Sequence, residues 1–305
     1  LTDLLEQLEK GTPNHTIEGG ELNLGANALP ALKRDSGDRN RTSPFAFTGN
    51  KFEFRAVGST ASVAWPNTVI NTIVSESLDF IAEEFDRIAG ENPSSTDRDQ
   101  AMKKILAKMI TAHKAVIFNG DGYTKEWEAE AKERGLANLR STPDALPVLL
   151  EERVLAMFDR FGVLSNAELT SRVEIFSEKY ATQMRIEAEQ MVVIARTMIL
   201  PAVYKHQRNL AETIASTEGA GVDCSDLREE LELFVALVSR FGELTKVLRH
   251  ASVPDGLDSM EICRFFRDSV MPMMEAIRVV GDELEAWVES ELWPMPTYSD
   301  LLTIR

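Results

Sequence analysis

The sequence has no surplus of positive charge. Its 33 Lys and Arg stand against 49 Asp and Glu, a net charge of −16 over 305 residues, with no basic block. Phosphate backbones and anionic membrane surfaces are held by clustered Lys and Arg, so nucleic acid and membrane drop out as expected partners. No apolar run approaches the ~20 residues that span a bilayer, and the opening residues lack a signal-peptide pattern. Cysteine is scarce: only Cys224 and Cys263 occur. Two thiols fit a reduced, cytoplasmic setting, with a single bridge between them still allowed. His15, His113, His206 and His250 are far apart, and none shows the paired spacing of metal ligands. Surface or core positions are the plainer reading for them. An initiator Met is missing too. The chain opens at Leu1 inside an apolar pattern at helical spacing (Leu1, Leu4, Leu5, Leu8), so it is expected to be a piece of a longer protein.

What is present describes a globular chain. Hydrophobic residues make up 44% and charged residues 27%, and the length suits one large domain or two ordinary ones. Residues 11–40 are punctuated by Gly and Pro and read as loop. Asn50 to Val57 alternates polar and apolar, the pattern of a strand. Helical periodicity follows. One helix opens at Trp65-Pro66-Asn67, where a first-turn proline loses nothing by its missing N–H. A second spans about Asp99 to Phe118. After the turn Asn119–Tyr123 comes a short helix ending before Gly135, then another from Pro143 to about Phe161.

Capping-box spacings at Ser165/Glu168, Asp226/Glu229 and Asp258/Glu261 head three long helices. Pro201 is the expected kink in the first, and Pro272 lies within the third. Short polar links between such helices imply antiparallel neighbours, hence a bundle. Met271, Met273 and Met274 read as adaptable packing or as a subunit contact. Cys224 stands at a helix start, where a thiol pKa can fall, or else is an inert buried thiol.

The residues that suggest chemistry lie between Asp38 and Arg55. Side chains on a strand alternate between faces, so Lys51, Glu53 and Arg55 share one side while Phe52 and Phe54 share the other. Arg39 and Arg41 arrive just upstream. A cation–anion–cation row beside two arginines suits polyanion chemistry. Arginine grips phosphate or carboxylate through paired bonds, lysine supplies a point charge, and a carboxylate between them can hold Mg²⁺ or Mn²⁺. Such a set can position a phosphoryl group and neutralise its charge. The spacing alone equally describes a half-buried strand with a solvated face.

The run Asn40-Arg41-Thr42-Ser43-Pro44-Phe45-Ala46-Phe47-Thr48-Gly49-Asn50-Lys51-Phe52-Glu53-Phe54-Arg55 closely resembles the signature of type III glutamine synthetases. Ala56–Ser59, Pro66–Val74, the turn Asn119–Tyr123 and the ending Leu292–Tyr298 continue the likeness. Glutamine synthetases carry an Asn-Arg pair, an Arg-x-Glu-x-Arg strand and an Asn-Pro helix entry. Here these positions read Asn40-Arg41, Lys51-x-Glu53-x-Arg55 and a reversed Pro66-Asn67. The further Arg that widespread types carry after the Asn-Arg pair is replaced by Ser43–Ala46.

The resemblance implies roles. Arg41 would contact the γ-phosphate of ATP and act in its transfer. Lys51, with Arg39 beside it, would contact nucleotide phosphate. Glu53 would ligate the bridging Mg²⁺ or Mn²⁺, and Arg55 would bind the carboxylate of glutamate or its acyl phosphate. The implied reaction is ATP-dependent amidation of glutamate by ammonia through γ-glutamyl phosphate. The upstream metal ligands, flap and β-grasp domain of the family have no match here, so this polypeptide alone is expected to be inactive. The implied fold class is α+β: residues 1–164 as the C-terminal part of a catalytic domain with short strands, residues 165–305 as an antiparallel helical bundle. The full-length protein is expected to be a cytoplasmic ring oligomer, a dodecamer. The rival reading is a non-catalytic helical interaction module, a scaffold.

Overall fold

The computed structural model describes residues 2–11, 20–22, 32–33, 45–47, 52–54, 61–296 and 298–302. In the four strands only the backbone is described. The elements in order are α1 (Thr2–Glu9), β1 (Glu21–Leu22), β2 (Leu32–Lys33), β3 (Phe45–Phe47), β4 (Phe52–Phe54), α2 (Ala64–Ala89), α3 (Ser95–His113), α4 (Lys125–Glu133), α5 (Thr142–Ala145), α6 (Glu152–Arg160), α7 (Asn166–Ile194), α8 (Leu200–Gly219), α9 (Ser225–Arg249), α10 (Ser259–Phe265), α11 (Met271–Trp287) and α12 (Tyr298–Leu302).

The α+β expectation is corrected: among the described residues the fold is all-α. Extended backbone there amounts to two antiparallel ladders of two and three residues, β1 with β2 and β3 with β4. A two-stranded ladder buries too little to form a layer of its own. Helix-on-helix packing supplies the core instead.

The chain divides into two compact units. The first comprises residues 1–138 and 157–163, the second residues 139–156 and 164–305.

In the first unit α3 packs against α2 and α1. Ser94 heads α3 with a full capping box, its hydroxyl accepting from the Asp97 N–H while Asp97 accepts from the Ser94 N–H at 3.1 Å. Ala101 and Ile105 are its buried contacts. Trp65, in the first turn of α2, stacks on Phe158 with ring centroids 6.4 Å apart and planes 11° apart. Arg160 pairs with Asp79 and, at 3.1 Å, with Glu83 on the acidic side of α2. Thr72 is buried on α2 and satisfies its hydroxyl on the Thr68 carbonyl at 2.8 Å.

The second unit is a helical bundle whose core gathers Phe234, Val238 and Phe241 of α9, Val203 of α8, and Ile277, Val280 and Leu284 of α11. α9 packs on both α8 and α11, and α7 on α10. The expected capping boxes form at Ser165/Glu168 and Asp258/Glu261. The one at Asp226/Glu229 does not. α9 starts at Ser225 with Cys224 as its cap, and the Cys224 side chain turns inward, 3.7 Å from the Ile214 carbonyl, leaving the cap with no side-chain acceptor.

Both long helices widen into one π-helical turn before their prolines. At 195–199 the Leu200 N–H bonds the Ala195 carbonyl five residues back, and at 266–270 the Met271 N–H bonds that of Phe266. Pro201 and Pro272 have no N–H for the ordinary bond, and a proline ring crowds the carbonyl four residues earlier. The wider turn absorbs that conflict while α7 runs on into α8 and α10 into α11.

The helix expected from Pro143 to Phe161 is broken. α5 gives way to a 3₁₀ turn over 146–150, Glu151 is extended, and α6 restarts at Glu152. Pro147 explains it, since it cannot donate to the carbonyl of Pro143. Arg267 bridges Asp144 and Asp268, at 2.6 Å to the latter, and reaches the Ser141 hydroxyl at 3.3 Å.

Candidate functional site

The charged row meets the structure at one point. β3 and β4 pair with Phe45 opposite Phe54, Ala46 opposite Glu53 and Phe47 opposite Phe52. Glu53 thus holds the central register position of the hairpin, flanked by two phenylalanine pairs. β-Branched and aromatic cross-strand pairs are what fix register in so short a ladder. Of the strand expected over 50–57, Phe52–Phe54 is strand, and residues 50, 51 and 55–57 lie outside the described residues. Arg39, Arg41, Lys51 and Arg55 lie outside the described residues. Glu53 offers the oxygen donor type that Mg²⁺ and Mn²⁺ take, as one ligand of a larger set. Among the described residues no three His, Cys, Asp or Glu side chains converge as a metal site.

The Asn119–Tyr123 turn is the other segment that the sequence singled out, and its environment is well built. Asp121 accepts from the Tyr123 N–H at 2.9 Å, and the Thr124 hydroxyl caps α4 by accepting from the Trp127 N–H at 3.2 Å. Phe118 stacks on Trp127 with centroids 3.8 Å apart. A Cβ at Gly120 would collide with the Phe118 ring, so this position admits no larger residue without displacing the stack.

Arg134 ties these pieces together. One guanidinium nitrogen donates to the carbonyls of Ala115 (3.1 Å) and Ile117 (2.9 Å), the other pairs with Glu130, and the group lies 5.3 Å from the Trp127 ring centre. A cavity of about 350 Å³ opens beside it, lined in part by Thr2, Glu6, Glu9, Lys114 and Asn119. Lys114 pairs with Glu9 at 2.7 Å, and that hydrogen bond pulls the Glu9 carboxyl below its usual range. Sequence reading passed over Arg134, because its partners lie 17 and 19 residues away and no local spacing announces them.

The remaining candidates resolve as packing. Cys224 and Cys263 are buried free thiols, so no bridge joins them. Burial pushes both thiols up, the reverse of a helix-start activation. The Cys263 S–H donates to the Ser177 carbonyl at 3.1 Å. His206 meets the edge of Phe234 at 5.0 Å, and His250 bonds the Lys246 carbonyl at 2.7 Å. Met273 and Met274 pack on the core, while the Tyr180 hydroxyl donates to the Met271 sulfur at 3.4 Å. No helix among the described residues is long and apolar enough to cross a membrane.

Comparison with known proteins gives this assembly of helices a class. The glutamine synthetase C-terminal domain family matches residues 101–218, from within α3 to the end of α8. The chain is 40% identical to the type-3 glutamine synthetase of Dictyostelium discoideum, covering 100% of this chain and 42% of that protein. It is 33% identical to a glutamine synthetase of Bacteroides fragilis and 31% identical to one of Butyrivibrio fibrisolvens, covering 42% and 43% of those proteins. The chain belongs to the glutamine synthetase family, in its type III branch. It spans less than half the length of the relatives it matches.

Proposed function

We propose that this chain supplies one wall of the active site of an ATP-dependent glutamate–ammonia ligase. The reading rests on one observation above all: essentially the whole chain aligns with proteins named glutamine synthetase. The signature from Asn40 to Arg55 and the Glu53-centred hairpin within it support the same reading.

In this reading Arg39, Arg41 and Lys51 hold the nucleotide phosphates. Their charge offsets that which builds on the γ-phosphoryl group as it passes to the γ-carboxylate of glutamate. Arg55 grips a glutamate carboxylate through paired bonds and sets the acceptor in line. Glu53 is one ligand to Mg²⁺ or Mn²⁺, which when bound neutralises the phosphates between the arginines. Ammonia then attacks γ-glutamyl phosphate, releasing phosphate and leaving glutamine. Residues 1–164 belong to the catalytic domain and 165–305 form its helical partner. The full-length protein works in the cytoplasm as a homo-oligomeric ring, and this polypeptide alone is inactive.

The test is γ-glutamyl transfer by the full-length protein with Glu53→Ala or Arg55→Ala. Losing one pre-set electrostatic contact to the transition state costs on the order of 100-fold in rate, and each variant is expected to lose at least that. Wild-type rates in both would overturn the site assignment.

A further inference from the structure

The cavity beside Arg134 lies within the first unit and has two walls. Thr2, Glu6 and Glu9 stand at steps of four and three on α1, so they share one side of that helix. Ile110, Lys114 and Ile117 repeat those steps in the second wall, from the last turn of α3 to the end of the 3₁₀ turn after it. Two bonds close the walls on each other. The Thr2 hydroxyl donates to the Asn119 side-chain carbonyl at 2.8 Å, and Lys114 pairs with Glu9 at 2.7 Å. That pairing raises the Lys114 ammonium above its ordinary pKa, and the nearby Glu6 carboxylate adds to the effect. Arg134 fixes the second wall through the carbonyls of Ala115 and Ile117.

The mixture of groups narrows the occupant. Two carboxylates, Glu6 and Glu9, stand beside two cations, Lys114 and Arg134, so their charges balance. A polyphosphate is held by a surplus of cations, and Mg²⁺ or Ca²⁺ by several converging oxygens. Neither set occurs among the described residues of the cavity. A molecule with one charge of each sign fits instead. Glu6 can accept from an ammonium. Lys114 has three N–H donors, and among the described residues Glu9 takes one, so a carboxylate can take another. Ile110, Ala115 and Ile117 supply apolar lining. The volume of about 350 Å³ equals that of roughly a dozen waters at ~30 Å³ each, which suits a small metabolite. We propose that this cavity binds a free α-amino acid with an apolar side chain, its ammonium on Glu6, its carboxylate on Lys114 and its side chain against Ile110 and Ile117. No residue of the charged row from Arg39 to Arg55 takes part, so this site stands or falls apart from the ligase reading.

Amide exchange in the full-length protein tests it, with L-leucine as the probe. Two analogues each lack one charge: isocaproate has no ammonium and isoamylamine no carboxylate. Leucine should slow exchange over residues 2–9 and 110–119, and neither analogue should do so at the same concentration. Glu6 is exposed, so Glu6→Gln leaves the packing intact. That variant should raise the leucine concentration needed for half protection on the order of tenfold, the loss of one charge-assisted bond. Absence of slowing by leucine over these residues would overturn the proposal. Equal slowing by isocaproate would overturn it too, making the cavity an anion site, and so would equal slowing by isoamylamine. Protection by leucine that is unchanged in Glu6→Gln would remove the ammonium contact and the proposal with it.

Discussion

Removing the Arg134 guanidinium should loosen the Asn119–Tyr123 turn and the start of α4 together. Arg134 makes two charge-assisted bonds to backbone carbonyls at 2.9 and 3.1 Å. Such bonds are worth ~1.5–3 kcal/mol each when dry. The Arg134 side chain is 28% exposed, so about 1 kcal/mol apiece is the fair figure here, with ~0.5 kcal/mol more for its place over Trp127. Arg134→Met keeps the apolar stem and should cost about 2–3 kcal/mol. Arg134→Lys should recover less than half of that, because one ammonium cannot span two carbonyls and stack as well. Urea unfolding read by tryptophan fluorescence gives the loss, and amide exchange over residues 114–127 localises it. A cost below ~0.5 kcal/mol, the range of an ordinary surface change, would refute the argument. So would a loss spread evenly over the chain.

Two further outcomes follow from the packing and the charges. Glu84 sits between Arg87 and Lys108, and the bonds from both hold its carboxyl near a pKa of about 2, against an ordinary 4.5. A depressed carboxylate stabilises above its ordinary pKa and loses that contribution as pH falls through its folded value. Glu84→Gln should therefore match wild type below about pH 2 and fall behind it up to pH 4.5, above which the gap stays constant. A Glu84 carboxyl resonance titrating near 4.5 would contradict this. In the bundle, Leu284 is fully buried and Leu233 is 58% exposed. Leu284→Ala should cost about 2–5 kcal/mol in denaturant unfolding and Leu233→Ala less than ~0.5 kcal/mol. Equal costs would mean the core lies elsewhere.

The helices were legible wherever the sequence states a local rule. Ser165 with Glu168 and Asp258 with Glu261 carry the donor and acceptor chemistry of a helix start within four residues, and both form as read. Asp226 with Glu229 has the same spacing and fails, because Cys224, drawn into the interior, sets the start two residues too early for Asp226 to cap. Prolines were read less evenly. Pro201 and Pro272 were seen as trouble for a helix, but the answer, a π turn that lets the helix continue, depends on the bundle holding both flanks. Pro147 was passed over, and it ends a helix. The strand pattern at 50–57 was legible as alternation, and among the described residues Phe52–Phe54 pair with Phe45–Phe47.

The family model and the charged row fall on different residues, although the relatives align over the whole chain. The matched domain begins at residue 101 and ends at residue 218. Its buried members, among them Ile105, Phe158, Leu169 and Val203, are packing residues. A helical core tolerates few changes of volume. The charged row, Arg39 to Arg55, stands entirely before that domain. Its likeness is one of chemistry at fixed spacing. α2 joins the two. It packs on α3, which enters the matched domain at Ala101. Packed helices of this kind supply rigidity, which a two-stranded ladder of three residues cannot supply for itself.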